Sequence, residues 1–332
     1  MNPNKKAAPF GSLIGQSPAF KNVIEAAEKI APHDISVLIE GEIGSGKESL
    51  ARAIHFASHR SAGEFVVIDC AGETDLLLEC ELFGYVRGSF AGAIHDKKGI
   101  VELAAGGTLF FGHIAKLPPS LQGKLIRLMN EHSFYKLGGV STIQTDVRII
   151  AATDQDLKPL VARGRFRQDL YYQLSVMQLT VPPLRERKDD ILLLADYFLS
   201  RRANQSSTDK KELAKEARTA LLSYSWPANV RELEKEMERS TILSGDGKKI
   251  GVECFSSSIV QARRHTKFAR SSVSWSLRDQ KRIMVMMLEK NAIHEALKKT
   301  NGNQTQAARL LSISRQELIR KIAAYQIKSH KK

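Results

Sequence analysis

Eight consecutive residues, Gly41-Glu-Ile-Gly-Ser-Gly-Lys-Glu48, restrict the folds open to this chain more than any other stretch. They follow Ser36-Val-Leu-Ile39, an apolar run that reads as a short strand, and they open a helical pattern over 47–58. The glycines let backbone N–H groups converge on an anion, and the helix N-terminus adds partial positive charge at the same place. Lys47 adds a full charge near the outer phosphates of a nucleotide. Strand, loop, lysine and helix in this order predict a phosphate cradle made of Gly41, Glu42, Gly44, Ser45, Gly46, Lys47 and Glu48. Glu48 stands where the generic motif has Ser or Thr. A Gly-rich turn serving only to connect strand and helix is the alternative, and the agreement of all four features favours the cradle.

The same alternation continues along the first half of the chain. Phe65–Ile68, Thr108–Phe111 and Val147–Ala152 read as further short apolar strands, with helical patterns between them. Continuous apolar strands alternating with helices indicate an α/β fold whose parallel sheet is covered on both faces. Residues 189–246 turn helical, punctuated by Trp226-Pro227, and residues 247–276 gain Ser, Gly, Lys and Arg as a linker does. Helical periodicity without strands returns over 277–332. The expected organisation is a disordered lead at 1–11, an α/β domain at 12–188, a small helical subdomain at 189–246, a linker at 247–276 and an all-α domain at 277–332.

That last domain is where the charge lies. Residues 261–332 hold 17 Lys and Arg against 4 Asp and Glu, whereas residues 1–260 hold 33 against 32. A near-neutral body with a basic end is the footprint of a protein that docks on a polyanion. The segment Asn303–Leu311 places Ala307, Ala308 and Leu311 on one helical face, and Ser312-Ile-Ser314 makes a turn in which Ser314 caps the next helix. The helix from Arg315 to Tyr325 buries Leu318 and Ile322 and turns Arg315, Gln316, Ile319 and Arg320 outward. A helix of this kind fits the major groove of double-stranded DNA, with Thr305, Gln306, Ser314, Arg315, Gln316, Ile319, Arg320 and Lys321 as the candidate contacts. Cys70, Cys80 and Cys254 are too few and too scattered for a disulfide framework or a zinc site. No stretch is apolar and long enough to span a membrane and no secretory signal is visible, so a cytoplasmic protein without metal or membrane partner is expected.

Beyond the cradle, Glu81–Gly84, Gly88-Ser-Phe-Ala-Gly-Ala93, Gly106–Leu109, Leu121–Leu125, Asp146–Thr153, Phe166–Leu170, Pro182-Pro-Leu-Arg-Glu-Arg187 and Trp226-Pro-Ala-Asn-Val-Arg-Glu-Leu233 occur in order. Together they resemble the bacterial enhancer-binding proteins, AAA+ activators of RNA polymerase carrying sigma-54, over residues 12–245, and the C-terminal segment resembles the Fis-type helix-turn-helix that ends many of them. The resemblance implies an AAA+ P-loop sheet with a helical subdomain, assembly into a ring with ATP between subunits, and dimerisation through the helix at 277–299. It implies nucleotide sensing by Arg231, an arginine at Arg167 reaching a neighbour's γ-phosphate, and a sigma-contacting loop formed by Gly88, Ser89, Phe90, Ala91, Gly92 and Ala93. Such proteins usually carry an N-terminal sensor, and with about a dozen residues ahead of the core a protein without one is expected.

Several positions depart from the family pattern. Where the family has an Asp for the Mg²⁺ site and a Glu to activate water, this chain has Gly112 and His113. Glycine offers no oxygen, and histidine suits Mg²⁺ poorly because that ion demands oxygen ligands. Asp69 and Asp154 replace the family's asparagines, Gln173 replaces a second arginine, and Ala91 replaces the threonine of the loop. Losing one oriented charge on the γ-phosphate can slow hydrolysis by several powers of ten. Binding of ATP with impaired hydrolysis and impaired sigma-54 activation is therefore expected, with Mg²⁺ not expected. Compensation by Asp69 and Asp154, which flank the lost pair if the second and fourth strands border the third, is the counter-expectation.

Three functions remain open from sequence: a DNA-bound regulator with a weak or dead ATPase, acting alone or with an intact paralogue; a working ATP-dependent sigma-54 activator; and a nucleoid-type architectural protein. A small-molecule P-loop kinase is disfavoured because nothing suggests an acceptor pocket.

Overall fold

The computed structural model describes residues 9–72, 74–206, 208–245, 247–261, 277–300 and 303–324. The chain divides into two compact units, Met1–Arg263 and Arg264–Lys332.

In the first unit five parallel strands form one sheet: β1 (Val37–Glu40), β2 (Phe65–Asp69), β3 (Thr108–Gly112), β4 (Arg148–Thr153) and β5 (Met177–Thr180). Their order is β2-β3-β4-β1-β5, so β2 and β4 do border β3. Alternation along each strand feeds two separate cores. Val37, Ile39, Phe110, Ile150 and Leu179 pack under α1 (Pro18–Ile30) and α2 (Lys47–Phe56). Leu38, Leu109, Phe111, Ile149 and Ala151 face the other way, onto α3 (Asp75–Phe83), α4 (Pro119–Glu131) and α5 (Gln168–Leu174). Burial on both faces explains why these strands are continuously apolar. The apolar residues of α4, Leu121, Leu125 and Leu128, recur at the spacing that makes one helical stripe.

Three helices, α6 (Lys188–Ser206), α7 (Lys215–Ser223) and α8 (Asn229–Leu243), form a helical body around Ile191, Leu194, Leu221, Trp226, Leu233 and Met237. Trp226 is fully buried, and its indole N–H donates to the Leu221 carbonyl at 2.9 Å. The stretch read as a linker from 247 is structured at its start. Lys249–Ile250 pairs with Glu212–Leu213, and Ile250, Cys254, Phe255 and Ile259 enter the core of the helical body. The Lys and Ser side chains that suggested a linker, Lys248, Lys249, Ser257 and Ser258, lie on the outer side of that segment. Within the expected lead, Pro9–Ser12 forms a helical turn, with Phe10 and Leu13 packed on the α1–α2 core. Residues 1–8 and 262–276 lie outside the described residues.

The second unit is helical, with α9 (Leu277–Lys299), α10 (Gln304–Leu310) and α11 (Arg315–Ala324). Ile293, Ala296, Leu297, Ala307, Ala308 and Leu318 make its core. No helix among the described residues is long and apolar enough to cross a membrane.

Candidate functional site

The loop after β1 and the residues ending β2, β3 and β4 meet at the C-terminal edge of the sheet, where open α/β sheets place their ligands. Gly46, with φ of 105°, caps α2 in a conformation that suits glycine and turns the chain into the helix. Lys47 donates from Nζ to the carbonyls of Gly41 at 2.6 Å and Glu42 at 2.9 Å, which folds its charge over the cradle. Burial pulls the Lys47 pKa down, opposed by Asp154 and Glu42 and assisted by Arg231. Both Asp154 and Arg231 therefore lie within electrostatic reach of the cradle lysine, as a nucleotide site requires.

The turn at 184–187 and the start of α8 grip the cradle residue by residue. Arg185 makes a forked ion pair with Glu42, at 2.8 and 2.7 Å, and this pair is the main reason the Glu42 carboxyl titrates below its usual range. Asn229 donates from Nδ2 to Glu42 Oε2 and to the Ile43 carbonyl, at 3.1 and 3.0 Å. Val230 N–H donates to the Gly44 carbonyl at 2.9 Å, and Arg187 Nη2 donates to the Ser45 carbonyl at 2.6 Å. A Cβ at Gly44 would stand 2.2 Å from the Ala228 carbonyl oxygen, so only glycine permits this approach. Arg185, Arg187 and Asn229 were not among the candidates from sequence. Their signal was the two Pro-containing motifs at 182–187 and 226–233, read as family marks rather than as ligands of the loop.

The end of β3 carries a glycine and a histidine, and no carboxylate of its own. Gly112 pairs with Asp69 across the β2–β3 register, and its carbonyl accepts from Cys70 N–H at 2.9 Å. His113 sits in the left-handed region, with φ of 52°, and its Nδ1 lies 2.7 Å from Asp69 Oδ1. Asp69 is thus engaged by the histidine and by the Ala71 N–H at 3.0 Å. Asp154 Oδ1 is buried and makes no hydrogen bond. Glu48 bonds to Arg52 at 2.7 Å, one turn further along α2. Among the described residues no three His, Cys, Asp or Glu side chains are grouped to hold a metal ion. The residues at the end of β3 do not fit Mg²⁺, since one lacks a side-chain oxygen and the other presents nitrogen.

Arg167 caps α5 at the surface, half exposed, in a forked pair with Asp169 at 3.1 and 2.8 Å that raises its pKa. Gln173 bonds to Asn130. The 88–93 loop is closed on itself, with Gly88 N–H donating to the Ala93 carbonyl at 2.8 Å and Phe90 edge-on to Tyr85 at 5.0 Å. Gly88 and Gly92 take φ of 82° and 110°, and Ala91 is exposed between them. Ser89 lies against Gly138, where a Cβ would come within 2.5 Å of the Ser89 Cβ, so this loop rests on the turn at 136–140.

In the second unit Asn303 caps α10 by accepting from Thr305 N–H and Gln306 N–H, and Ser314 Oγ accepts from Glu317 N–H at 3.1 Å to cap α11. Leu318 is fully buried, while Thr305, Gln306, Ser314, Arg315, Gln316, Ile319 and Arg320 are exposed. Lys321 differs from them: its Nζ pairs with Glu289 Oε2 of α9 at 2.6 Å, so this lysine braces α11 against α9. Tyr325 lies outside the described residues.

Residues 13–180 match the family model of the sigma-54 interaction domain, residues 185–272 that of the AAA+ ATPase lid domain, and residues 285–325 that of the bacterial regulatory protein, Fis family. The chain is 38% identical over 320 residues to the regulatory protein AtoC of Escherichia coli, covering 96% of this chain and 68% of that protein. It is 41% identical over 321 residues to the transcriptional regulatory protein ZraR of Salmonella typhimurium, covering 97% of this chain and 70% of that protein. The crystal structure of NtrX from Brucella abortus in complex with ATP aligns with a TM-score of 0.72 at 30% identity, over 95% of this chain and 70% of that one.

Proposed function

Because the chain belongs to the sigma-54 interaction-domain family of bacterial regulators, we propose that it binds ATP in the cradle at 41–48, docks on double-stranded DNA through α11, and hydrolyses ATP poorly. The end of β3 carries the reading on hydrolysis. Gly112 and His113 supply no carboxylate there, and the nearest one, on Asp69, is already bonded to His113. A general base contributes about 10²–10⁴ in rate, so its absence alone makes turnover slow. Binding, by contrast, draws on the loop N–H groups, Lys47 and the lid residue Arg231, all of which stand around one site. The crystallised relative holds ATP at 30% identity, which supports carrying nucleotide binding to this chain.

For DNA, Arg315, Gln316, Ile319 and Arg320 form the outward face of α11, and the excess positive charge of the chain lies in the same unit. Arginine suits guanine edges and phosphates, and an exposed isoleucine suits a thymine methyl. Dimerisation through α9 and ring assembly through the AAA+ part complete the proposal. The partners are RNA polymerase with sigma-54, or an intact paralogue whose ring this chain joins.

A working activator is the second reading, favoured by one observation: Asp154, whose charge is felt by Lys47, keeps a buried, unpartnered oxygen. One experiment separates the two. ATP binding by calorimetry and phosphate release are measured on the same pure protein, beside Lys47→Ala, Asp69→Asn and Asp154→Asn. Binding without turnover supports the first reading. Brisk turnover lost with Lys47 and with Asp154 establishes the second.

A further inference from the structure

Two sets of buried polar contacts, one to the residues ahead of α1 and one to the phosphate loop, leave from the same turn at the start of α6, where Asp190 N–H donates to the Arg187 carbonyl at 3.0 Å. Asp190, fully buried in the first turn of α6, accepts three hydrogen bonds: from Gln16 N–H at 2.6 Å, from Ser17 N–H at 2.8 Å and from Ser17 Oγ at 2.8 Å. Arg187 lies three residues earlier and is 2% exposed. Its Nη2 donates to the Ser45 carbonyl at 2.6 Å, its guanidinium stands 4.7 Å over the Phe20 ring of α1, and its Nε has no hydrogen-bond partner. Burial drives the guanidinium pKa down to about 10, against the opposing pull of the Asp190 charge.

Burying a charge is costly unless a counter-charge and hydrogen bonds accompany it. Arg187 and Asp190 supply that charge balance to each other, while their hydrogen bonds go elsewhere, one set to the loop and one to the N-terminal segment. The packing leaves little slack, since a Cβ at Gly15 would stand 2.3 Å from the Phe20 ring and 3.0 Å from Asp190 Oδ2. Gly15, Phe20, Asp190 and Arg187 are therefore packed against one another as one group.

We infer that Arg187 is a positioning residue for the cradle: it holds the Ser45 carbonyl, Asp190 is fixed to the same turn by its N–H on the Arg187 carbonyl, and the Gln16 N–H with the Ser17 N–H and hydroxyl hold Asp190. The segment entering α1 is thereby wired to the phosphate loop, so whatever displaces residues 15–17 changes how the loop presents its N–H groups. The inference deepens the nucleotide reading above, and its first readout does not depend on that reading.

The test uses the full chain as wild type, Ser17→Ala, Asp190→Asn, Arg187→Lys and Arg187→Gln. Amide hydrogen exchange is followed without nucleotide on peptides covering 41–50, with peptides from α7 as the internal control. The affinity for a fluorescent ATP analogue is then measured on the same samples. Ser17→Ala removes one hydroxyl and is the variant least able to unfold the protein. It is expected to speed exchange at 41–50 about fivefold, the factor that one hydrogen bond of about 1 kcal/mol represents, with α7 unchanged. Arg187→Gln is expected to do more, and Arg187→Lys, which keeps the charge but not the fork, to fall between. Weakened analogue binding should follow the same order. Wild-type exchange at 41–50 in both Ser17→Ala and Arg187→Lys overturns the inference. If exchange changes as expected while no form binds the analogue, the relay stands and the nucleotide reading falls.

Discussion

Restoring the acidic pair is the most direct perturbation of the ATPase reading, and the geometry at β3 sets its size. A Cβ at Gly112 would meet the Ile68 carbonyl oxygen at 3.4 Å and the Asp69 Cα and Oδ1 at 3.8 Å. These are ordinary contacts, so Gly112→Asp is sterically accommodated. The obstacle is electrostatic. His113→Glu removes the bond that now engages Asp69, and the freed carboxylate then faces a new one at roughly 5 Å, a repulsion of about 1–3 kcal/mol between water-like and surface-like screening. Asp69 is more than half exposed, which favours the lower figure. Residue 113 also sits at positive φ, which costs an ordinary side chain about 1 kcal/mol more than glycine and is borne already by the histidine. Gly112→Asp with His113→Glu should therefore gain turnover only in part, and adding Asp69→Asn should release the rest. The triple variant is expected to hydrolyse ATP about 10²–10⁴ times faster than wild type, the range of a positioned general base. Steady-state phosphate release at saturating ATP reads the effect, with analogue binding as the control for an intact cradle. A triple variant that binds nucleotide normally but stays at the wild-type rate refutes the argument that the lost pair limits turnover.

Other outcomes follow from single contacts. Gly44→Ala forces a Cβ to 2.2 Å from the Ala228 carbonyl at φ of 72°; nucleotide affinity measured by titration should fall at least about tenfold, from strain plus the lost Val230 hydrogen bond. Arg320→Ala should weaken DNA binding and lower the slope of log K against log salt by about 1, whereas Lys321→Ala should lower the melting temperature more than the DNA affinity, because Lys321 is spent on Glu289. Equal effects of the two substitutions on the salt slope contradict this division. His55 is buried against Thr108 Oγ1 at 2.9 Å, and burial lowers its pKa below the ordinary 6.5. The unfolded chain therefore takes up a proton first as pH falls below about 6.5, and stability declines from there by up to about 1.4 kcal/mol per pH unit until the folded form also protonates. Urea midpoints at pH 7.5 and 5.5 should converge in His55→Gln relative to wild type.

Much of the fold was legible because its signals are local. Short apolar runs, glycine punctuation and the Ser314 cap each act within a few residues, so spacing alone located four of the five sheet strands, the cradle and the helices of the C-terminal unit, while the edge strand Met177–Thr180, with a single buried residue, was not read. Residues 249–260 misled because their polar side chains are numerous while their four buried ones are sparse, and sparse apolar residues show their role only when a surface is there to receive them. Lys321 shows the same limit, since nothing in its basic helix announces that its ammonium also pairs with Glu289.

What the sequence determined by itself is the chemistry available at each position: a lysine in a glycine loop, no carboxylate at 112 and 113, and a basic C-terminal unit. Side-chain identity does not depend on folding. Only the tertiary structure decided which groups face one another. Asp69 turned to His113, Asp154 was left with a buried unpartnered oxygen, and Arg185, Arg187 and Asn229 closed on a loop some 140 to 190 residues away in sequence. Such pairings arise when separate elements pack, and no local period or spacing carries them.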